Sequence, residues 1–67
     1  MIEEGIMNIK FNGEDYLLIG DIEGGGAIST KEQYENFELS YAHLFPDGII
    51  MRFEVQIGTI SDLEFID

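Results

Sequence analysis

The feature that most constrains this fold is the dipeptide Asn12-Gly13, within the stretch MNIKFNGEDYLLIGDI. Apolar and polar residues alternate before it, which is the period of a strand with one buried face. Asn-Gly is favoured in a two-residue type I′ turn, because both central positions need a positive φ. Folding about this turn predicts a hairpin with three facing couples: Met7 with Leu18, Ile9 with Tyr16, and Lys10 with Asp15.

A helix is predicted after the segment EGGGAIS, whose glycines we expect to form a flexible linker. Two residue pairs have the spacing of a capping box: Ser29 with Glu32, and Thr30 with Gln33. The helix should begin at Lys31 and extend to about Leu44, because Pro46-Asp47-Gly48 favours a turn.

Period-two alternation resumes in GIIMRFEVQIG and predicts one strand with a single buried face. That face would contain Ile49, Met51, Phe53, Val55 and Ile57. Gly58 and Thr59 should end the strand, and a short last strand should turn Leu63 and Phe65 inward. The prediction is therefore an α+β fold, β-β-α-β-β, with one helix packed on a mostly antiparallel sheet in a single domain of residues 1–67.

Composition excludes several kinds of site. The chain has 67 residues, no cysteine and one histidine, so a disulfide, a thiolate metal centre and a typical zinc site are not expected. His43 has no evident catalytic partner and is interpreted as a surface or packing residue. No catalytic residue, metal or cofactor is predicted, and the protein is not expected to be an enzyme. A chain this small has a limited core, which favours a homodimer.

Charge indicates the kind of partner. Fourteen acidic residues against three basic ones give a net charge of −11. Such a surface repels nucleic acid and anionic membranes and attracts basic proteins, above all DNA-binding ones. A role of the charge in solubility alone stays open. No secretory signal or membrane-spanning run is found, so a cytoplasmic location is expected, in the host if the gene belongs to a phage.

The start of the chain, MIEEGIM, suggests a second initiation site. Codons for Glu-Glu-Gly can form a bacterial ribosome-binding site before Met7. Residues 1–6 would then be an extension ahead of the natural start at Met7.

Tyr34, Phe37 and Tyr41 have helical spacing and would share one face of the predicted helix. They either pack on the sheet or face a partner, since Tyr and Phe are enriched at interface hot spots. The candidate partner-binding residues are Tyr34, Glu35, Phe37, Glu38 and Tyr41.

The order of these motifs resembles the small acidic uracil-DNA glycosylase inhibitors of Bacillus phages. The shared features are a hairpin, a helix with the pattern Phe37-Glu38-Leu39-Ser40-Tyr41, a turn with Asp47, and a strand that opens with Ile49-Ile50 and continues to Arg52. The resemblance covers roughly residues 30–57. The loop after the helix is one residue longer here, and the GGGA segment has no clear counterpart.

The resemblance implies a homodimeric DNA mimic. Phe37 and Tyr41 would line a cavity for the leucine that the glycosylase inserts into DNA, and Glu38 would stand in for a phosphate. Two other functions remain open from the residues themselves. One is an immunity-like or antitoxin-like partner of another basic protein, and the other is a structural phage oligomer.

Overall fold

The computed structural model describes residues 5–21 and 24–66. In these residues the chain forms an antiparallel seven-stranded sheet, one short helix and a 3₁₀ turn. The strands are β1 (Ile6–Phe11), β2 (Glu14–Asp21), β3 (Gly25–Ser29), β4 (Ala42–Leu44), β5 (Ile49–Arg52), β6 (Val55–Thr59) and β7 (Leu63–Phe65). The helix α1 is Lys31–Glu35, and the 3₁₀ turn is Ile60–Asp62.

The predicted α+β fold, with a helix packed on the sheet, is wrong. The helix has five residues and none of them is buried. The sheet has the order β6-β5-β4-β3-β2-β1-β7, and its own curvature encloses the core. The core residues are Ile9, Phe11, Leu18, Ile28, Ala42, Leu44, Ile50 and Leu63.

The strong curvature of the sheet follows from the connection between its two outer strands. β6 and β7 lie at opposite ends of the strand order, yet only the three-residue 3₁₀ turn joins them. The sheet must therefore curl into a half-barrel. Gly58 of β6 accordingly lies against the ring of Phe11 of β1, and a Cβ at Gly58 would be 3.0 Å from that ring.

The hairpin β1–β2 is confirmed with its predicted register. Met7 faces Leu18, Ile9 faces Tyr16, and Lys10 faces Asp15. The turn has φ of 53° at Asn12 and 80° at Gly13, both in the left-handed region that this turn requires.

The predicted flexible linker is wrong, because residues 25–29 form a central strand. Ile28 in β3 is fully buried, and β3 pairs with both β2 and β4. A Cβ at Gly26 would lie 2.7 Å from the carbonyl oxygen of Ile19, so glycine permits the close approach of β2 and β3. Glu23, the first residue of the segment, lies outside the described residues.

The helix begins as predicted but ends much earlier than Leu44. Thr30 and Gln33 form the capping box. At the other end, the N–H of Glu38 donates to the carbonyl of Gln33 over 2.9 Å, and the N–H of Phe37 donates to that of Tyr34 over 3.4 Å. This is a Schellman motif, and its left-handed residue, usually glycine, is Phe37 with φ of 57°.

The long strand predicted over residues 49–57 is a hairpin. β5 and β6 fold back about Phe53-Glu54, with Arg52 opposite Val55, and Gly58 and Thr59 lie within β6. The predicted inward face is wrong in part: Ile57 packs against the core, but Phe53 and Val55 are exposed, and the buried residue of β5 is Ile50.

Of two smaller predictions in this part of the chain, the first is confirmed and the second is confirmed except for Phe65. Pro46-Asp47-Gly48 forms a turn, in which the Gly48 N–H donates to the Phe45 carbonyl over 2.9 Å. The last strand, β7, buries Leu63, but Phe65 is exposed rather than inward.

Most of the predicted extension, residues 1–4, lies outside the described residues. No described helix is long and apolar enough to cross a membrane.

Candidate protein-binding groove

A groove of about 580 Å³ opens between the loop after α1, strand β4 and the β5–β6 turn. We name it the Arg52 groove. Its lining residues are Gln33, Glu38, Leu39, Ser40, Tyr41, His43, Arg52 and Phe53.

The loop that forms one wall is fixed to the sheet by a hydrogen bond between two serines. Ser29 is buried at the end of β3, and its hydroxyl donates to the Ser40 hydroxyl over 3.0 Å. Together with the Schellman motif, this bond determines where the chain between α1 and β4 runs. The groove wall therefore has a defined shape although residues 38–41 have no regular secondary structure.

Two phenylalanines project from this region into solvent. Phe37 is 96% exposed and Phe53 is 84% exposed. Both have a positive φ, 57° and 59°, although a left-handed conformation costs a residue with a side chain about 1–2 kcal/mol. Each thus combines an unfavourable backbone with an unburied ring. A feature that lowers stability in two ways at two separate turns points to a role other than folding.

A chain of stacked groups connects the groove to the core. The rings of Tyr16 and Tyr41 stack with their centroids 5.0 Å apart and an interplanar angle of 27°. The Arg52 guanidinium carbon lies 4.5 Å from the Tyr41 centroid and 4.9 Å from that of Phe53. Burial, and then the neighbouring Tyr41, raise the pKa of Tyr16 above its ordinary value. The exposed Phe53 is therefore held through Arg52 to a rigid aromatic support.

Arg52 has an unusual position for an arginine in so acidic a chain. Its Nε is buried and has no hydrogen-bond partner in the structure described here. The one salt bridge found among the side chains that the structure describes joins Lys10 to Asp15 over 3.6 Å, at the far hairpin. Among the described side chains, Arg52 thus contacts aromatic rings and forms no ion pair.

The acidic groups that the structure describes are solvent-exposed. Their side chains are those of Glu14, Asp15, Glu32, Glu35, Glu38, Asp47, Glu54, Asp62 and Glu64. Three of them, Glu35, Glu38 and Glu54, are close in sequence to the exposed phenylalanines. The aromatic groups are therefore presented on a surface of negative charge.

The structure brings some of the predicted site residues together and separates others. Glu38 and Tyr41 line the Arg52 groove, and Phe37 directly precedes Glu38. Tyr34 and Glu35 lie on α1 and are not part of the lining. The predicted aromatic helix face does not exist, because Phe37 points to solvent while Tyr41 is half-buried against Tyr16.

Leu39, Arg52 and Phe53 were not predicted as site residues. Leu39 is 89% exposed and lines the groove with Phe53. Nothing in the sequence marked Phe53, since the alternating pattern continues through the turn that it occupies. The part of the chain that the structure describes contains no group of three His, Asp or Glu side chains placed to hold a metal ion.

The chain matches no protein-family model, curated protein or solved structure. Membership of the inhibitor family therefore remains a prediction. The helix that would carry Phe37 and Tyr41 in that family is not formed, because α1 ends at Glu35. Function has to be inferred from the groove and the charge of this chain.

Proposed function

We propose that this protein is an acidic inhibitor that binds the DNA-binding face of a basic enzyme and excludes DNA. The observation that carries the proposal is the pair of exposed phenylalanines, Phe37 and Phe53, held in left-handed conformations on a chain with a net charge of −11. The rings act as the apolar anchors of the interface, and the carboxylates around them replace phosphates.

Two physical arguments support this function. Opposite charges raise the rate of encounter and orient the partners, so an acidic surface competes directly for a cationic DNA-binding groove. Most binding energy at an interface comes from a few large side chains in desolvated pockets. Charge thus selects the class of partner, and the two rings with Leu39 supply the affinity.

Uracil-DNA glycosylase is the first enzyme to assay. The sequence resemblance motivates this choice, together with the chemistry of base flipping. An enzyme that extrudes a base needs a cationic surface and an apolar side chain to fill the gap in the stack. The Arg52 groove, with its apolar wall of Leu39 and Phe53, would accept such a side chain. This role requires a cytoplasmic location, where bacterial DNA is repaired.

The test is a uracil-excision assay at low salt with equimolar inhibitor. We expect excision to stop, and we expect Phe37→Ser and Phe53→Ser each to weaken inhibition by at least about tenfold, the size of a moderate hot spot. Phe65→Ser is the matched control, since Phe65 is also exposed but lies on β7 away from the groove lining. Unimpeded excision rejects the glycosylase as target, and equal loss in all three variants rejects the anchor role.

The proposed homodimer is measured separately by sedimentation equilibrium. We expect the mass of two chains at micromolar concentration, because the exposed apolar residues around the groove favour self-association. A mass of one chain at all concentrations would contradict the dimer but leave the inhibitor proposal intact.

A further inference from the structure

We infer that the Arg52 groove is a binding site for a carboxylate attached to an apolar body, such as an aromatic acid. The inference does not depend on the proposed inhibitor function. It rests on Arg52, on the two rings that hold its guanidinium, and on the polar and apolar groups that line the same groove.

Arg52 is available to an anion. None of the carboxylates that the structure describes forms a salt bridge with it, although the acidic residues of the chain outnumber the basic ones by fourteen to three. Its buried Nε has no acceptor in the described structure. A guanidinium matches the two oxygens of a carboxylate better than any other side chain does. A carboxylate in the groove would bind the part of the guanidinium that lines it.

The guanidinium is also held in place before a ligand arrives. It lies 4.5 Å from the Tyr41 ring centroid and 4.9 Å from that of Phe53. Arginine is a flexible side chain, and ordering it on binding lowers affinity. Contact with two rings removes much of that freedom in advance. Lysine could not replace it, because an ammonium lacks the planar fork that stacks and binds two oxygens together.

The remaining lining fits the two parts of such a ligand. Ser40 accepts a hydrogen bond from Ser29, so its own O–H is free to donate. Gln33 uses its side-chain oxygen to accept from the Thr30 N–H over 2.9 Å, which leaves its NH₂ group free. These donors suit carboxylate oxygens. Leu39 and the Phe53 ring supply the apolar surface for the body of the ligand.

Glu38 also lines the groove and opposes an anion. Glu38 is exposed to solvent, which weakens its repulsion of a bound carboxylate. The other titratable residues of the lining are Tyr41, His43 and Arg52. The site should therefore bind a single carboxylate weakly and reject polyanions such as nucleotides.

The experiment is a titration of the isotope-labelled protein with three ligands of one shape, observed by NMR. The ligands are phenylacetate, its neutral analogue phenylacetamide, and the cation benzylamine. We expect phenylacetate to shift the Arg52 Nε–H and the amides of Ser40 and Phe53, with a dissociation constant in the millimolar range. Phenylacetamide should bind at least about tenfold more weakly, since it offers no charge-assisted pair.

Two variants should change the affinity for phenylacetate in opposite directions. Arg52→Gln should weaken phenylacetate binding at least about tenfold, while Glu38→Gln should strengthen it about threefold by removing one nearby like charge. The amide spectrum of each variant reports whether the half-barrel is intact. If Arg52→Gln unfolds, the comparison of acid with amide on the unaltered chain still decides the inference.

Three results would overturn it: equal binding of phenylacetate and phenylacetamide, preference for benzylamine, or no shift at ligand concentrations on the order of 10 mM. A peptide ending in a free phenylalanine carboxylate, compared with its amidated form, separates the two sources of the ligand. Tighter binding of the free-ended peptide than of phenylacetate assigns the site to a protein terminus, and weaker binding assigns it to a small acid. Because no enzyme is present, failure here does not bear on the uracil-excision assay.

Discussion

The hairpins β1–β2 and β5–β6 both reverse the chain with a two-residue turn, but they use opposite kinds of residue to do so. The first turn has Asn12 and Gly13, which tolerate a positive φ. The second has Phe53 at a position with φ of 59°, followed by Glu54. A positive φ at the first central residue alone is the pattern of a type II′ turn, where glycine is preferred.

The end of α1 resembles the β5–β6 turn, because a phenylalanine again occupies a position that favours glycine: Phe37 is the left-handed residue of a Schellman motif. Where residues serve the fold alone, as in β1–β2, local preference and structure agree. Where they disagree, at Phe37 and Phe53, the rings are also exposed. Natural chains deviate from local preference mainly at functional sites, so the difference between the two hairpins supports the proposal that Phe37 and Phe53 contact a partner.

The largest change in stability should come from placing a residue that disfavours a positive φ in the β1–β2 turn, as Phe53 does in the β5–β6 turn. Gly13→Val places a β-branched residue at φ of 80°, where no atom lies within 4 Å of the added Cβ. The loss is therefore conformational, and we expect about 2 kcal/mol of destabilisation, or roughly 10 °C in Tm.

The matched control for this change is Gly13→Asn, which keeps a residue that tolerates the left-handed region and should lose less stability. Thermal unfolding followed by circular dichroism gives both values. Equal Tm values for the two variants would mean that the turn does not require a positive φ.

The reverse change should stabilise the second turn. Phe53→Gly removes a phenylalanine from a left-handed conformation and should raise the free energy of unfolding by up to about 1 kcal/mol, despite losing the contact with Arg52. Urea denaturation measures this gain.

Phe45→Gly is the control, since Phe45 is exposed but is not among the residues with a positive φ. It should lower stability, because glycine only increases the freedom of the unfolded chain there. The same Phe53→Gly protein should lose inhibition, so a variant that is more stable and less active would distinguish an anchor from a structural residue. A destabilised Phe53→Gly would contradict the interpretation of the turn.

A smaller effect on stability is expected from the stack of Tyr16, in the first hairpin, on Tyr41. The folded-state pKa of Tyr16 is raised, chiefly by burial, so folding favours the neutral phenol. Its contribution to stability is complete below the unfolded pKa of about 10 and is lost as pH rises through the folded value.

The urea midpoint should therefore fall at alkaline pH, and less steeply in Tyr16→Phe, which has no phenol to ionise. The difference between the two profiles isolates Tyr16 from the other titrating groups. Parallel profiles would mean that the environment of Tyr16 does not distinguish its two protonation states.

The smallest effect concerns the charged couple of the first hairpin. Lys10 and Asp15 are 3.6 Å apart and exposed, so their coupling should be about 0.5 kcal/mol or less. A double-mutant cycle with Lys10→Gln and Asp15→Asn measures it. The coupling should vanish at high salt, and a value that persists there would require a contact other than the ion pair.

The β1–β2 hairpin, the capping box at Thr30 and the turn at Gly48 could be predicted from sequence because each has a residue type that its geometry demands. The end of α1 could not, since a phenylalanine gives no indication of a left-handed residue. If the helix is assumed to continue past Glu35, its period wrongly places Tyr34, Phe37 and Tyr41 on one face. The same reasoning explains the missed β5–β6 turn, where the alternating pattern runs through Phe53 without a break.

The central strand β3 was missed for a different reason. Consecutive glycines are typical of linkers, and only the packing of β2 against β3 shows that Gly26 must lack a side chain. The candidate site was predicted in part, because Glu38 and Tyr41 line it and Phe37 adjoins it. Arg52 was not predicted as a site residue, since only the folded structure brings it against Tyr41.

The order of the strands has a consequence for the kinetics of folding. From β1 to β6 each strand pairs with its neighbour in sequence, so these contacts are local, and the longest connection among them is residues 30–41. The pairing of β1 with β7 is different, because it joins the two ends of the described chain. Loop closure for that contact is entropically the most demanding, so we expect the meander to form early and the docking of β7 to limit the rate.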